Sequence, residues 1–356
     1  MIRRAAGLVM CALAAGGCAH AAGAPSAPAA PAPAGSTSTS STSSTSRSSR
    51  DPGAGVGSGT PAPGAIAGDG PYAVGERVIT LVDPSRTVRI PGEGRQPRTL
   101  VTVVRYPTAG PASRVDVRNV PPDRLAGRFP LVVFGHGFAV TPAIYAALLR
   151  AWAAAGYVVA APVFPLENAN APGGPEESDL LNQPADMTFV ITRLLAANTD
   201  PRALLFGSIA PQEVAVAGQS DGGETALAVA YDRFYLDPRV RAAVILSGAE
   251  IPGPLSTLTF SVTGPPLLAT QGTADVVNLP RNTYRFFAAA HRPKFLLTLL
   301  GAPHLPPYTT EQPQLGIVER VSIAFLDRYL KSAGDGTAEM RAAGDQAGVA
   351  ALTALP

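Results

Sequence analysis

Val214-Ala215-Val216-Ala217-Gly218-Gln219-Ser220-Asp221-Gly222-Gly223 sets an apolar run of strand length against the pattern G-x-S-x-G, and Glu224-Thr225-Ala226-Leu227 then opens a helix. Taken alone, the five-residue pattern recurs by chance in glycine-rich chains. Between a strand and a helix it has the context of a nucleophile elbow. So sharp a turn forces strained backbone angles on the serine, and glycines two before and two after it allow close approach of neighbouring chain. The Ser220 hydroxyl is then expected to stand free at a helix N-terminus, where backbone N–H groups favour developing negative charge. The plain alternative is an ordinary strand-to-helix turn.

Outward from this stretch, apolar runs of strand length recur at Val78–Val82, Leu100–Tyr106, Leu131–Phe134, Tyr157–Ala161, Ala243–Leu246, Leu267–Thr270 and Phe295–Leu300. Several are continuous rather than alternating, as in strands covered by helices on both faces of a mainly parallel sheet. Helical patterns fall between the later ones, at Pro142–Ala155, Ala185–Ala197, Glu224–Tyr231, Pro280–Ala290 and Gln314–Ser332. The alternation predicts a doubly wound, mostly parallel α/β domain. Residues 76–106 carry strand-like pieces punctuated by Asp83-Pro84-Ser85 and Pro91-Gly92-Glu93-Gly94, read as turns between antiparallel strands at the N-terminal edge. The long connection from Pro162 to Gln183 leaves a strand end and is expected to overhang the site.

A serine nucleophile needs a base, and the chain has four histidines. His20 precedes the folded part, His136 follows the strand Leu131–Phe134, and His291 sits in a helix-to-strand turn. His304 follows Phe295–Leu300 in Gly301-Ala302-Pro303-His304. Carboxylates between Ser220 and His304 include Asp232 and Asp237 near the end of the elbow helix, Glu250 after Leu246, and Asp275 in Gln271-Gly272-Thr273-Ala274-Asp275. Of these, Asp275 lies past the end of a sheet strand, with Glu250 as a fallback. For His136 a hydrogen bond that orders its loop is expected rather than direct chemistry.

FGHGF before the first helix, GQSDGG at the elbow, GTAD and GAPH together resemble the α/β-hydrolase superfamily over roughly residues 76–332. Within it, Asp83-Pro84-Ser85-Arg86, Arg98-Thr99-Leu100 and Val103-Val104-Arg105-Tyr106-Pro107 look like the opening of the platelet-activating-factor acetylhydrolase and dienelactone-hydrolase-like branch, to which chlorophyllases are related. The resemblance implies a triad in the chain order serine, acid, histidine, hence Ser220, Asp275 and His304. It implies an oxyanion hole from the backbone N–H groups of Asp221 and Phe138, with Gly137 next in line. Gly137 and Gln219 are expected to border the substrate, and no cofactor or metal is implied. Gln219 stands where many members carry histidine. Dienelactone hydrolases proper use cysteine, which this chain lacks near the elbow.

The termini complete the organisation expected. Arg3 and Arg4, an apolar run from Ala5 to Ala15 and small residues before Cys18 have the layout of a secretory signal, and Leu13-Ala14-Ala15-Gly16-Gly17-Cys18 resembles a lipobox. An exported enzyme is expected, either secreted or anchored to a membrane through lipidated Cys18. Residues 19–70, dominated by Ala, Pro, Ser, Thr and Gly, read as a disordered tether, and residues 333–356 as a poorly ordered tail. Both cysteines, Cys11 and Cys18, fall in the leader, so the folded part has no thiol for a disulfide or a metal. A net charge of +2 with scattered arginines gives no electrostatic footprint for nucleic acid.

Three functional classes follow: hydrolysis of a small-molecule or lipid ester through an acyl-serine, amide or peptide hydrolysis on the same triad, and a non-catalytic surface-binding module that keeps the fold. Too few residues separate the tether from the first sheet strands for the gating domain common in peptidases of this kind.

Overall fold

The central strands are apolar on both sides because each side is covered. In the computed structural model, which describes residues 71–248 and 263–356, successive residues of the elbow strand enter two different cores. Val214 and Val216 pack in one, Ala215 and Ala217 in the other. The strand alternation that polar residues would normally reveal is hidden because both faces are buried.

The chain starts with a long hairpin, β1 (Ala73–Ile90) and β2 (Gly94–Thr108), followed by the two-residue β3 (Val117–Arg118) and by β4 (Phe129–Gly135). Then come α1 (Ala146–Ala154), β5 (Val158–Pro162), α2 (Gln183–Ala197), β6 (Ile209–Gln219), α3 (Asp221–Tyr231) and β7 (Val240–Leu246). The last part holds β8 (Leu267–Gly272), α4 (Pro280–Ala289), β9 (Lys294–Leu299), α5 (Gln314–Leu330), α6 (Thr337–Gly344) and β10 (Ala350–Leu355). They form one sheet in the order β10-β9-β8-β7-β6-β4-β5-β2-β1-β3. Strands β5, β4, β6, β7, β8 and β9 are parallel; β1 pairs antiparallel with β2, and β2 antiparallel with β5. The doubly wound α/β expectation and its antiparallel N-terminal edge are therefore observed.

Residues of α2, α3 and α4, among them Ile191, Val229 and Phe286, fill one core; residues of α1, α5 and α6, among them Trp152, Phe325 and Met340, fill the other. The indole of Trp152, fully buried, donates to Ser322 Oγ at 2.8 Å, which ties α1 to α5 without an unpaired polar group.

Two sequence expectations change. Asp83-Pro84-Ser85 does not separate two strands: β1 runs through it as a bulge, where the register slips from Asp83 opposite Arg98 to Thr87 opposite Pro97. The Asp83 carboxylate accepts from the Ser85 N–H and hydroxyl and from Arg86, so the proline sits where no ladder donor is needed. Residues 333–356 are not a loose tail. They supply α6 and β10, and β10 closes the sheet by pairing antiparallel with β9 from Ala350 opposite Leu299 to Leu355 opposite Lys294. Alanines make up much of this strand, so its periodicity is too weak to see. The catalytic domain accordingly extends to the end of the described chain.

The connection after β5 coils in its second half into a 3₁₀ turn at Glu177–Asn182. It is clamped from beneath by Arg98. That buried guanidinium reaches Asp179 at 2.8 and 2.9 Å and Asp186 at 2.6, 2.7 and 3.0 Å. The leader with its lipobox, the tether, and the fallback Glu250 lie outside the described residues.

Candidate active site

Ser220 follows β6 with φ 55° and ψ −125°, the strained conformation expected of it. Its N–H donates to Leu246 O at 3.0 Å, and its carbonyl accepts from Gly223 and Glu224 at 2.8 and 3.0 Å. Crowding explains the glycines: a Cβ at Gly218 would lie 2.0 Å from Gly222 O, and one at Gly222 would lie 2.1 Å from Gly135 O. The backbone of the elbow touches both its own entry strand and the end of β4, and only glycine permits this.

His304 and Asp275 reach Ser220 from the ends of β9 and β8. Their two turns are laced together: Thr273 N–H donates to Leu299 O at 2.9 Å, Ala274 N–H to Ala302 O at 3.1 Å, and Gly301 N–H to Thr273 Oγ1 at 2.8 Å. His304 Nδ1 lies 2.8 Å from Asp275 Oδ2, and His304 Nε2 lies 3.0 Å from Ser220 Oγ. Asp275 is itself buried and held: its Oδ1 accepts from the N–H groups of Val277 and Asn278 at 2.9 and 2.8 Å, and its Oδ2 from Gln271 Nε2 at 3.2 Å. A carboxylate fixed this way sets the orientation and tautomer of the imidazole. The other acids are engaged elsewhere. Asp237 pairs with Arg239 at 2.5 Å, and Asp232 caps the turn beyond α3 through Phe234 N–H.

Around the nucleophile, the loop Gly135-His136-Gly137-Phe138 closes against the elbow. A Cβ at Gly137 would fall 3.1 Å from Ser220 Cβ and 2.8 Å from Gln219 Oε1. Gly137 N–H points at Tyr145 Oη, 3.4 Å away, which leaves the N–H of Phe138 as the donor this loop can offer. No protein acceptor is formed by the N–H of Phe138 or of Asp221 among the described residues. His136 orders the loop, as expected: Nε2 accepts the Phe164 N–H at 3.1 Å, which puts the ring proton on Nδ1, and Nδ1 donates to Gly137 O at 2.8 Å. Burial drives its pKa down from 6.5 to about 4, only partly offset by the bond to Gly137, so the ring stays neutral.

Gln219, expected to border the substrate, is engaged on both sides by the protein. It is 1% exposed, its Oε1 accepts from Tyr145 Oη at 2.7 Å, and its Nε2 donates to the His304 carbonyl at 3.2 Å. An amide can accept from one side and donate to the other, so Gln219 braces the catalytic loop from below. Gly137 is likewise buried, with no space for a side chain between it and the serine. Sequence reasoning passed over Tyr145, Gln271 and Asn278, whose contacts are all long-range or lie within a turn. Asn278, for example, donates to Ser247 O at 2.7 Å. Among the described residues no group of three or more His, Cys, Asp or Glu side chains gathers to hold a metal.

Residues 94–247 match the family model described as Chlorophyllase. The matched stretch runs from the start of β2 to just past β7 and contains Ser220, Phe138 and Asp221. A search of curated proteins finds no match to the chain.

Proposed function

We propose that the chain, which has the fold of the α/β-hydrolases and matches the Chlorophyllase model over residues 94–247, is an exported serine hydrolase that cleaves carboxylic esters through an acyl-Ser220 intermediate. The observation that carries the reading is the continuous relay from Ser220 Oγ to His304 Nε2 at 3.0 Å and from His304 Nδ1 to Asp275 Oδ2 at 2.8 Å. His304 takes the serine proton as Oγ attacks the ester carbonyl, and Asp275 stabilises the resulting imidazolium. The tetrahedral oxyanion is held by the N–H groups of Asp221 and Phe138. Collapse expels the alcohol, which receives its proton from His304. Water activated by the same imidazole then releases the acid and restores Ser220.

Exposed apolar side chains beside these residues support a substrate with an apolar portion. Phe138 follows the buried Gly137 at the oxyanion loop, and Val276 and Val277 follow Asp275, with exposures of 42%, 83% and 63%. The leader supports export, and lipidation at Cys18 would hold the enzyme at a membrane surface; cell fractionation of a Cys18→Ser variant tests that anchor.

The decisive test is labelling by a fluorophosphonate probe, combined with turnover of a graded series of esters. The native chain should label and turn over esters much faster than amides of the same acyl group. Ser220→Ala should lose both activities, with a drop in turnover on the order of 10⁶-fold. Labelling that persists in Ser220→Ala would remove Ser220 from its role.

A further inference from the structure

Glu167 lies on the segment that leaves β5, is 0% exposed, and has no ordinary donor on either carboxyl oxygen. Asp221, the residue after Ser220, acts on the Glu167 carboxyl more strongly than any other acid does. Asp221 Oδ2 is likewise buried without a donor. Two ionised carboxylates are both acceptors and repel each other, whereas one proton between them would give each a partner.

The main chain of Glu167 is engaged as well. Its carbonyl accepts the Ala139 N–H at 2.9 Å, and two residues on Ala169 N–H donates to Val140 O at 3.2 Å. The segment from 167 to 169 therefore runs hydrogen-bonded beside the loop that carries Phe138. A single residue grips that loop through its backbone and Asp221 through its side chain, and these are the two residues whose N–H groups flank Ser220.

We propose that Glu167 is a positioning residue that holds a proton as a carboxylic acid, donates it to Asp221, and thereby fixes the spacing of the two oxyanion donors. The proposal rests on the acyl-Ser220 reading above. The surroundings favour the proton. Burial foremost, then Asp221 on α3, then Asp179 and Glu177 on the 3₁₀ turn, push the Glu167 carboxyl from 4.5 up to about 11. Arg98, which reaches Asp179 in this group of acids, is committed to Asp179 and Asp186. Tyr145, whose hydroxyl also feels Asp221, bonds to Gln219 instead.

Two variants and an infrared measurement test this. Glu167→Gln keeps a donor toward Asp221 and should retain most of kcat, whereas Glu167→Leu leaves Asp221 without one. The Leu variant should lose about 10²-fold in kcat with KM little changed, the usual consequence of displaced transition-state donors. At about pH 8, where an ordinary carboxyl is ionised, the native-minus-Gln difference spectrum should show the C=O stretch of a protonated carboxylic acid; that readout needs neither turnover nor the Leu variant to fold.

Because the folded-state pKa is raised, the stability it confers is complete below 4.5 and is lost as pH rises toward about 11. The thermal midpoint of the native chain should therefore fall relative to that of Glu167→Gln across this range. Absence of the acid band, or a Gln variant as slow as the Leu variant, overturns the proposal. A native chain that fails to label with fluorophosphonate while showing the band overturns the ester reading instead.

Discussion

Two buried sets of charged and polar side chains lie within this domain, and they are built in opposite ways. In the Ser220, His304 and Asp275 set, every member sits on a turn just past a strand, and the nucleophile is held at φ 55°. In the Arg98, Asp179 and Asp186 set, a guanidinium on β2 is gripped by both carboxylates through all three of its nitrogens. The first set turns a hydroxyl toward an imidazole that can take its proton. The second only pairs opposite charges. Chemistry needs the strained hydroxyl; holding the 162–183 connection against β2 needs paired charge.

Substitution should separate the two sets by what fails. Asp275→Asn preserves the shape of the acid turn but presents an amide to His304 Nδ1, favouring the wrong tautomer. Turnover should drop by about 10⁴-fold, or ~5 kcal/mol at 1.36 per decade, with the thermal midpoint nearly kept. Steady-state kinetics on the purified variant check this, and a loss below tenfold would mean that Asp275 does not orient the base. Arg98→Ala should do the reverse. Buried Asp179 loses its cation and Asp186 is left with Arg86 alone, 2.8 Å away, at a cost of about 3–5 kcal/mol in denaturant unfolding. The molecules still folded should label with fluorophosphonate at close to the native rate. If labelling collapses while stability holds, the clamp belongs to the site after all.

The same contrast explains what could be read in advance. The triad was legible because its members sit in short local patterns, GQSDGG, GTAD and GAPH, each adjoining an apolar run that marks a strand. The clamp was invisible: Arg98, Asp179 and Asp186 are ordinary surface residue types, and only the fold brings positions 81 and 88 residues apart into contact. The partners of Gln219 were hidden for the same reason. Its neighbour in sequence is the nucleophile, but its partners are Tyr145 on another element and the carbonyl of His304. At the C-terminus, Ala350-Ala351-Leu352-Thr353-Ala354 offers too few large apolar residues to show a strand period, although Ala350 and Leu352 both face the core.

His136, the buried ring that orders the loop carrying Phe138, should respond to acid rather than to substrate. With its pKa lowered from 6.5 to about 4 by burial, the folded state needs the neutral ring. The sign follows from linkage. The full contribution to stability is present above 6.5 and is lost as pH falls toward about 4, by about 3 kcal/mol if the shift is taken whole. Replacing it with an uncharged residue, His136→Asn, should lower stability at neutral pH by loss of the Phe164 bond while flattening the acid limb. Thermal midpoints measured across that pH window would show it, and an unchanged acid limb would assign the acid sensitivity to other groups.

The smallest effect expected is at Tyr145, where the bracing beneath the triad meets the core. Its hydroxyl donates to Gln219 Oε1 at 2.7 Å in a site with no water-exposed surface, since both residues are buried. Tyr145→Phe keeps the ring against Phe134, 4.9 Å between centroids, so packing is conserved and only the bond is lost. Gln219 Oε1 is then left buried without that donor, at a cost of about 1–2 kcal/mol. Because Gln219 Nε2 also holds the His304 carbonyl, part of this cost should appear as slower turnover and not merely as lower stability. A Tyr145→Phe variant that unfolds earlier but turns over ester at the native rate would confine Gln219 to the scaffold; a parallel loss in kcat would make it part of what keeps His304 over Ser220.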